Sequence, residues 1–117
     1  MKRSVLLVDD DESSRLVLSV LLEDEGFHVD AVGSFAEGRA RLVGGPGYDL
    51  ALLDQHLGDG RGTDLLPFVR AQARPGKALL ISGSLDEEEA LRAGFDAGVP
   101  KGVGFPHLIA LVRRLLG

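Results

Sequence analysis

The stretch Tyr48-Asp-Leu-Ala-Leu-Leu-Asp54-Gln-His-Leu-Gly-Asp-Gly-Arg-Gly62 decides how the rest of the chain is read. A short apolar run, Leu50 to Leu53, ends abruptly in a carboxylate, and Gly58, Gly60 and Gly62 follow. That is the pattern of a buried strand delivering Asp54 to a loop. In an open parallel sheet, ligands gather beyond the carboxyl ends of the strands, so an acid placed there is a candidate site residue. It is equally a candidate cap for the following helix. The other strand ends decide the matter, because they too finish in polar groups that form one chemical set.

Working outward, Val5 to Val8 is a wholly apolar run stopped by Asp9 and Asp10, and Ala78 to Ile81 is another that stops at Ser82-Gly83. Ala97 to Pro100 is a short last strand ending at Lys101, and Phe27 to Val32 alternates as a strand does. Helical segments lie between them. Ser13 to Glu25 carries Leu16, Val17, Val20 and Leu21 at helical spacing and is closed by Gly26. Ser34-Phe-Ala-Glu37 is a capping box, in which each side chain satisfies the other residue's backbone amide, and its helix ends before Gly44. Leu65, Leu66, Phe68 and Val69 mark a helix with Pro67 in its first turn, ending near Arg74-Pro-Gly76. Ser84-Leu-Asp-Glu87 is a second capping box, opening a helix to about Ala93, and Phe105 to Leu116 is an amphipathic closing helix. Five strands alternating with five helices through short loops imply right-handed crossovers and a parallel sheet covered on both faces. The expected fold is a doubly wound (βα)5 α/β domain, flavodoxin-like, with strand order 2-1-3-4-5 and residues 1–117 forming one domain.

Composition narrows the function. A chain of 117 residues has room for one core and no second domain, and 0 Cys excludes a disulfide framework and thiolate metal sites. A formal net charge of -5 without a basic stripe argues against direct nucleic-acid binding. No apolar run approaches the ~20 residues of a membrane helix, and the basic start runs at once into Asp9, Asp10, Asp11 and Glu12, unlike a signal peptide. A cytoplasmic protein without membrane insertion is expected.

In the order 2-1-3-4-5, Asp9 and Asp10 stand beside Asp54, with Ser82 and Lys101 on the other side. Three crowded carboxylates repel one another, and a hard divalent cation relieves that repulsion. Mg2+ suits such oxygen ligands together with a substrate phosphate. His28, His56 and His107 are scattered and make no softer metal site. A metal beside an ionised Asp, facing a hydroxyl and an ammonium, is equipped for phosphoryl transfer to the carboxylate, and such a nucleophile requires no general base. Lys101 and Ser82 can each serve one phosphoryl oxygen, and the amides of Gln55 and Gly83 add donors if their loops curl inward.

These residues resemble the receiver domain of bacterial two-component response regulators over essentially the full chain. The resemblance rests on Val8-Asp9-Asp10, on the run to Asp54 with Leu57 and Gly62 behind it, on Ser82-Gly83 and on Lys101, each in order. It implies that Asp54 is the phosphoacceptor, Asp10 a direct Mg2+ ligand, Asp9 a ligand acting mainly through water, and the carbonyl of His56 a further ligand. It also implies that Ser82 is the switch hydroxyl and Lys101 its cationic partner. The implied phosphodonor is a histidine kinase or a histidine phosphotransfer protein, and the implied downstream partner meets the face of helix 4, strand 5 and helix 5. The domain is then a signalling switch in a phosphorelay rather than a conventional enzyme.

Three glycines depart from the family's pattern. Gly58 stands where a proline usually follows the residue matching Leu57, Gly102 where a cis proline usually follows the lysine, and Gly98 where Tyr or Phe usually lies on the last strand. A cis bond before a non-proline residue costs about 2.5 to 4 kcal/mol, so a trans Lys101–Gly102 bond is expected. Gly98 has no ring to rotate inward when the switch hydroxyl moves. The rival reading is therefore a phosphorylation-independent, receiver-like interaction module. A second rival, an aspartate-nucleophile phosphohydrolase, generally needs an acid two positions after the nucleophile, where this chain has His56. His56 and Ser84 are the positions that flank the phosphoryl group in relatives. Asp11 leaves open a shift of the acidic pair by one residue.

Overall fold

The computed structural model describes residues 2–74, 76–83 and 87–117. Among them the main strands are β1 (Ser4–Val8), β2 (His28–Val32), β3 (Leu50–Asp54), β4 (Lys77–Ser82) and β5 (Ala97–Pro100). The helices are α1 (Glu12–Asp24), α2 (Phe35–Gly44), α3 (Leu66–Arg70), α4 (Glu87–Arg92) and α5 (Phe105–Leu116). The five strands form one parallel sheet in the order β2-β1-β3-β4-β5, as the alternation of elements predicts.

Because successive side chains on a strand point to opposite faces, each apolar strand feeds two cores. Leu6, Val8, Leu53 and Leu80 pack with Leu42 of α2, Val69 of α3 and Ala90 of α4. Val5, Leu7, Leu52, Leu79 and Val99 pack on the other face with Leu22 of α1 and with Leu108 and Val112 of α5. The runs of β1 and β3 are apolar rather than alternating because both of their faces are covered, whereas edge strand β2 is only partly buried.

The structure revises several boundaries and one face. Leu16, Val17 and Val20 do mark a helix, but they are 65%, 55% and 49% exposed, and Leu22 supplies the buried anchor of α1. Before α3 the chain forms a tight hairpin, His56–Leu57 against Gly60–Arg61, and then a single 3-10 turn, Gly62–Leu65. α3 stops at Arg70, short of the expected Arg74-Pro-Gly76, and the Gln72 side chain turns back to accept from the Tyr48 amide and to donate to the Val69 carbonyl. Only half of the Ser34 capping box forms. Ser34 Oγ accepts from the Glu37 amide at 3.1 Å, while the Glu37 carboxylate takes the Ser34 hydroxyl instead of a backbone amide. The box opening at Ser84 lies outside the described residues. At Gly98 in β5, α4 lies close against the sheet: a side-chain carbon there would overlap Cβ of Ala90.

Candidate functional site

The strand register builds the site at one rim. Val8 pairs with Leu53, so the residues just after β1 lie beside Asp54, and Asp54 in turn pairs with Ile81, the neighbour of Ser82. Ser82 is opposite Pro100, which places Lys101 next along the rim. Asp9, Asp10 and Asp54 each offer a carboxylate oxygen, all within 4.8 Å of one another. Asp9 and Asp54 are buried, whereas Asp10 is exposed.

Each group has a distinct electrostatic setting. Asp9 Oδ1 accepts from the Asp11 amide at 3.0 Å, yet burial pushes its carboxyl above the usual range, and the nearby Asp54 charge acts in the same direction. Asp11 is not part of the trio, because its Oδ2 accepts from the Ser14 amide and caps α1. The ambiguity over the acidic pair is thereby settled in favour of Asp9 and Asp10. Lys101 Nζ lies 3.1 Å from Asp54 Oδ2. That close contact with Asp54 holds the Lys101 ammonium above its ordinary pKa, with the charges of Asp9 and Asp10 helping. Even so, Asp54 Oδ2 is buried without an aligned hydrogen-bond donor, so the ammonium acts on it as a charge. Asp54 Oδ1 accepts from the His56 amide at 3.3 Å.

Ser82 is buried at the end of β4, and its carbonyl accepts from the Lys101 amide at 3.0 Å, tying the two strand ends together. The Gln55 amide does not turn toward the site; it is bonded to the Ile81 carbonyl, and the His56 amide takes the expected place beside Asp54. The His56 side chain is exposed. Among the described residues no peptide bond is cis, and Gly102 sits at φ +87, a conformation closed to proline. Two contributors escaped the sequence reading. Arg15 on α1 donates to the Asp9 carbonyl at 2.8 Å, and Asp59 reaches across to α2. Arg15 lies one helical turn after the Asp11 cap, a spacing that could have flagged it, whereas nothing in the local pattern pointed to Asp59.

Three carboxylate oxygens converging on one point, two of the groups withdrawn from water, make a donor set suited to a hard cation. Asp54 Oδ2 lies beside them, buried and facing the Lys101 ammonium. In the metal-free protein the raised pKa of Asp9 means that its ionisation opposes folding. That contribution favours the fold at low pH and is lost as pH rises through the folded-state value. Asp9→Asn is therefore expected to raise the melting temperature of metal-free protein at neutral pH, by roughly 4 °C for each kcal/mol of relieved burial cost and repulsion. Circular dichroism melts at neutral and acidic pH measure it, and the gain should shrink in acid.

A doubly wound parallel sheet with an acid trio at its switch point, and a lysine closing the rim, defines a phosphoacceptor signalling module rather than a conventional enzyme. The chain belongs to the response regulator receiver domain family, whose profile matches residues 5–113. It is 34% identical to the transcriptional regulatory protein GltR of Pseudomonas aeruginosa over 97% of its own length and 49% of that protein. It is also 34% identical to the sensor histidine kinase AtsR of Burkholderia thailandensis, over 94% of its own length and 19% of that protein. The chain thus spans half or less of these relatives. A CheY-like receiver domain from Methanospirillum hungatei superposes with a TM-score of 0.89 at 29% identity, covering 99% of this chain and 94% of that one. Among the described residues no helix is long and apolar enough to cross a membrane.

Proposed function

We propose that this domain, residues 1–117, is a Mg2+-dependent switch that accepts a phosphoryl group on Asp54 from a histidine kinase or a histidine phosphotransfer protein. The observation that carries the reading is the buried Asp54 Oδ2, left without an aligned donor between the acid trio and Lys101. In the transfer, this oxygen attacks phosphorus, the O–P bond forms as the donor's N–P bond breaks, and the bonding pair stays on the imidazole nitrogen. A carboxylate nucleophile gives up no proton, so no base is needed. Asp10 and Asp54 would hold the cation, joined by Asp9, mainly through water, and by the His56 carbonyl. Mg2+ supplies charge neutralisation on the transferred oxygens. Lys101 serves one phosphoryl oxygen and Ser82 another.

The test is intact-mass measurement after incubation with Mg2+ and a small acyl phosphate. One added phosphoryl group, absent when a chelator is present, is the expected result. No adduct under any condition would leave the phosphorylation-independent interaction module as the better reading.

The phosphodonor has to reach the rim, and α1 offers a landing there. It carries exposed Leu16, Val17 and Val20, and Val17 also lines a cleft of about 610 Å³ together with Leu21, Val103, Phe105 and Lys101. An apolar patch this close to the nucleophile suits a partner helix that presents phosphohistidine. Val17→Arg should slow phosphotransfer from a cognate donor at least tenfold while leaving small-molecule phosphorylation intact. Equal loss with both donors would show that the change had damaged the site itself. The downstream partner is assigned to the face of α4, β5 and α5, where Glu87 to Glu89 and Arg113-Arg114 offer charge of both signs.

A further inference from the structure

The hairpin that follows β3 is a small piece of structure in an exposed place. It has two residues on each side, His56–Leu57 and Gly60–Arg61, with Gly58 and Asp59 at its tip. A hairpin of this size has little stability of its own. Nothing packs near Gly58: a side-chain carbon there would have open space around it. The tip is nevertheless tethered. Asp59 Oδ1 accepts from the Phe35 amide at 2.8 Å, and Oδ2 accepts from the Ala36 amide at 3.0 Å. These are first-turn amides of α2, orphan donors that the Ser34 cap leaves unserved, since Ser34 Oγ is engaged with Glu37. The hydrogen bonds from the Ala36 and Phe35 amides hold the Asp59 carboxyl below its usual range. Just beside the tether, the ring of Phe35 fits against Gly60 so closely that a side-chain carbon on Gly60 would lie 2.7 Å from Phe35 Cγ.

The other end of the hairpin is the site. His56 donates its amide to Asp54 Oδ1, and its carbonyl belongs to the same two-residue strand. An unbroken path therefore runs from the start of α2, through Asp59 and the hairpin, to the phosphoacceptor carboxylate.

We propose that Asp59 is a positioning residue for the phosphoacceptor site: by capping α2 from a distance it fixes the hairpin, and through the hairpin it aims the His56 amide and carbonyl. The part concerning the carbonyl rests on the reading of the site as a cation and phosphoryl centre. The part concerning the amide stands independently.

The experiment uses the full chain, labelled with 15N, as wild type, Asp59→Ala, Asp59→Asn and Gly60→Ala. In metal-free protein, amide hydrogen exchange at His56 and Leu57 is expected to speed up about tenfold or more in Asp59→Ala, while core amides of β1 and β3 keep their protection. Gly60→Ala forces Phe35 and the hairpin apart without touching the carboxylate and should give the same signature. Asp59→Asn keeps one acceptor oxygen and should recover part of the protection. With Mg2+ added, the titration midpoint read from the amide shifts should rise roughly threefold to tenfold in Asp59→Ala. Unchanged exchange at His56 in Asp59→Ala overturns the proposal. A general loss of protection across the sheet does so as well, since it would mean a merely structural role. If His56 exchange rises as expected but the wild type shows no saturable response to Mg2+, the positioning of the amide is supported and it is the cation reading that falls.

Discussion

Asp54→Asn is expected to fold normally and to take up no phosphoryl group, with the adduct reduced on the order of 100-fold or more relative to wild type. The reasons are geometric and electronic. The substitution preserves the size of a side chain that is only 3% exposed, so packing against the adjacent strands is undisturbed. It replaces a carboxylate with a neutral amide whose lone pair is delocalised, which removes the nucleophile and one of the three oxygens that define the cation site. The measurement is intact mass after treatment with Mg2+ and an acyl phosphate, with the melting temperature as a check on folding. The variant's melt should also respond less to added Mg2+ than that of wild type, because ligand binding to the native state raises stability with the logarithm of the ligand concentration relative to Kd. Persistence of the adduct in a folded Asp54→Asn protein would move the acceptor to Asp9 or Asp10 and undo the assignment.

The second large effect is expected at Gly98. In an ordinary strand position Gly→Ala stabilises slightly, by reducing the freedom of the unfolded chain. Here the sign reverses, because the new methyl would overlap Cβ of Ala90. Both atoms are fixed to backbone, so neither can rotate away and α4 must lift from the sheet. Overpacking of this kind costs about 1–3 kcal/mol, which in a domain of this size lowers the melting temperature by roughly 4 °C per kcal/mol. Gly98→Tyr, which restores the aromatic residue usual in relatives, should be worse rather than better. Adding Ala90→Gly to Gly98→Ala removes the opposing methyl and should recover stability, less the roughly 1 kcal/mol that a glycine costs inside a helix. A neutral Gly98→Ala, or a double variant no better than the single, would show that α4 is not seated on this contact.

The Gly98–Ala90 contact bears on signalling. A ring on β5 would have to start from a side-chain carbon at Gly98, and that carbon would meet Cβ of Ala90 in α4. If phosphorylation is read at the face of α4 and α5, it is expected to act through movement of backbone and helix, since Gly98 carries no ring to rotate. For the same reason a missing aromatic residue is weak support for the silent interaction module. The position is structurally occupied, and the acid trio, Ser82 and Lys101 all remain at the rim.

The strands were legible because burial on both faces demands uninterrupted apolar residues, and the site was legible because each run stops at a polar residue where the chain re-enters water. Val5 to Val8 followed by Asp9, and Leu50 to Leu53 followed by Asp54, carry both messages in a few letters. Alternation of strand and helix then restricted the topology to a parallel sheet, and the sheet order brought Asp9, Asp10, Asp54 and Lys101 together. The helical faces were less legible. Periodicity reveals that α1 is helical but not which neighbours cover it, and Leu16, Val17 and Val20 remain in solvent because α1 rests on the sheet through Leu22.

The sequence by itself determined the five main strands, the five helices and the identity of the groups at the rim, since these follow from local pattern, and the order 2-1-3-4-5 followed from its being the usual one for a doubly wound domain of this size. Only the tertiary structure decided the rest: Asp59 bonding to amides 23 and 24 residues away, Gly98 lying against Ala90, and the His56 amide rather than that of Gln55 turning to Asp54. The physical reason is the same in each case. Such contacts depend on distances between elements, which are set by how the whole core packs, and no single stretch of chain carries that information.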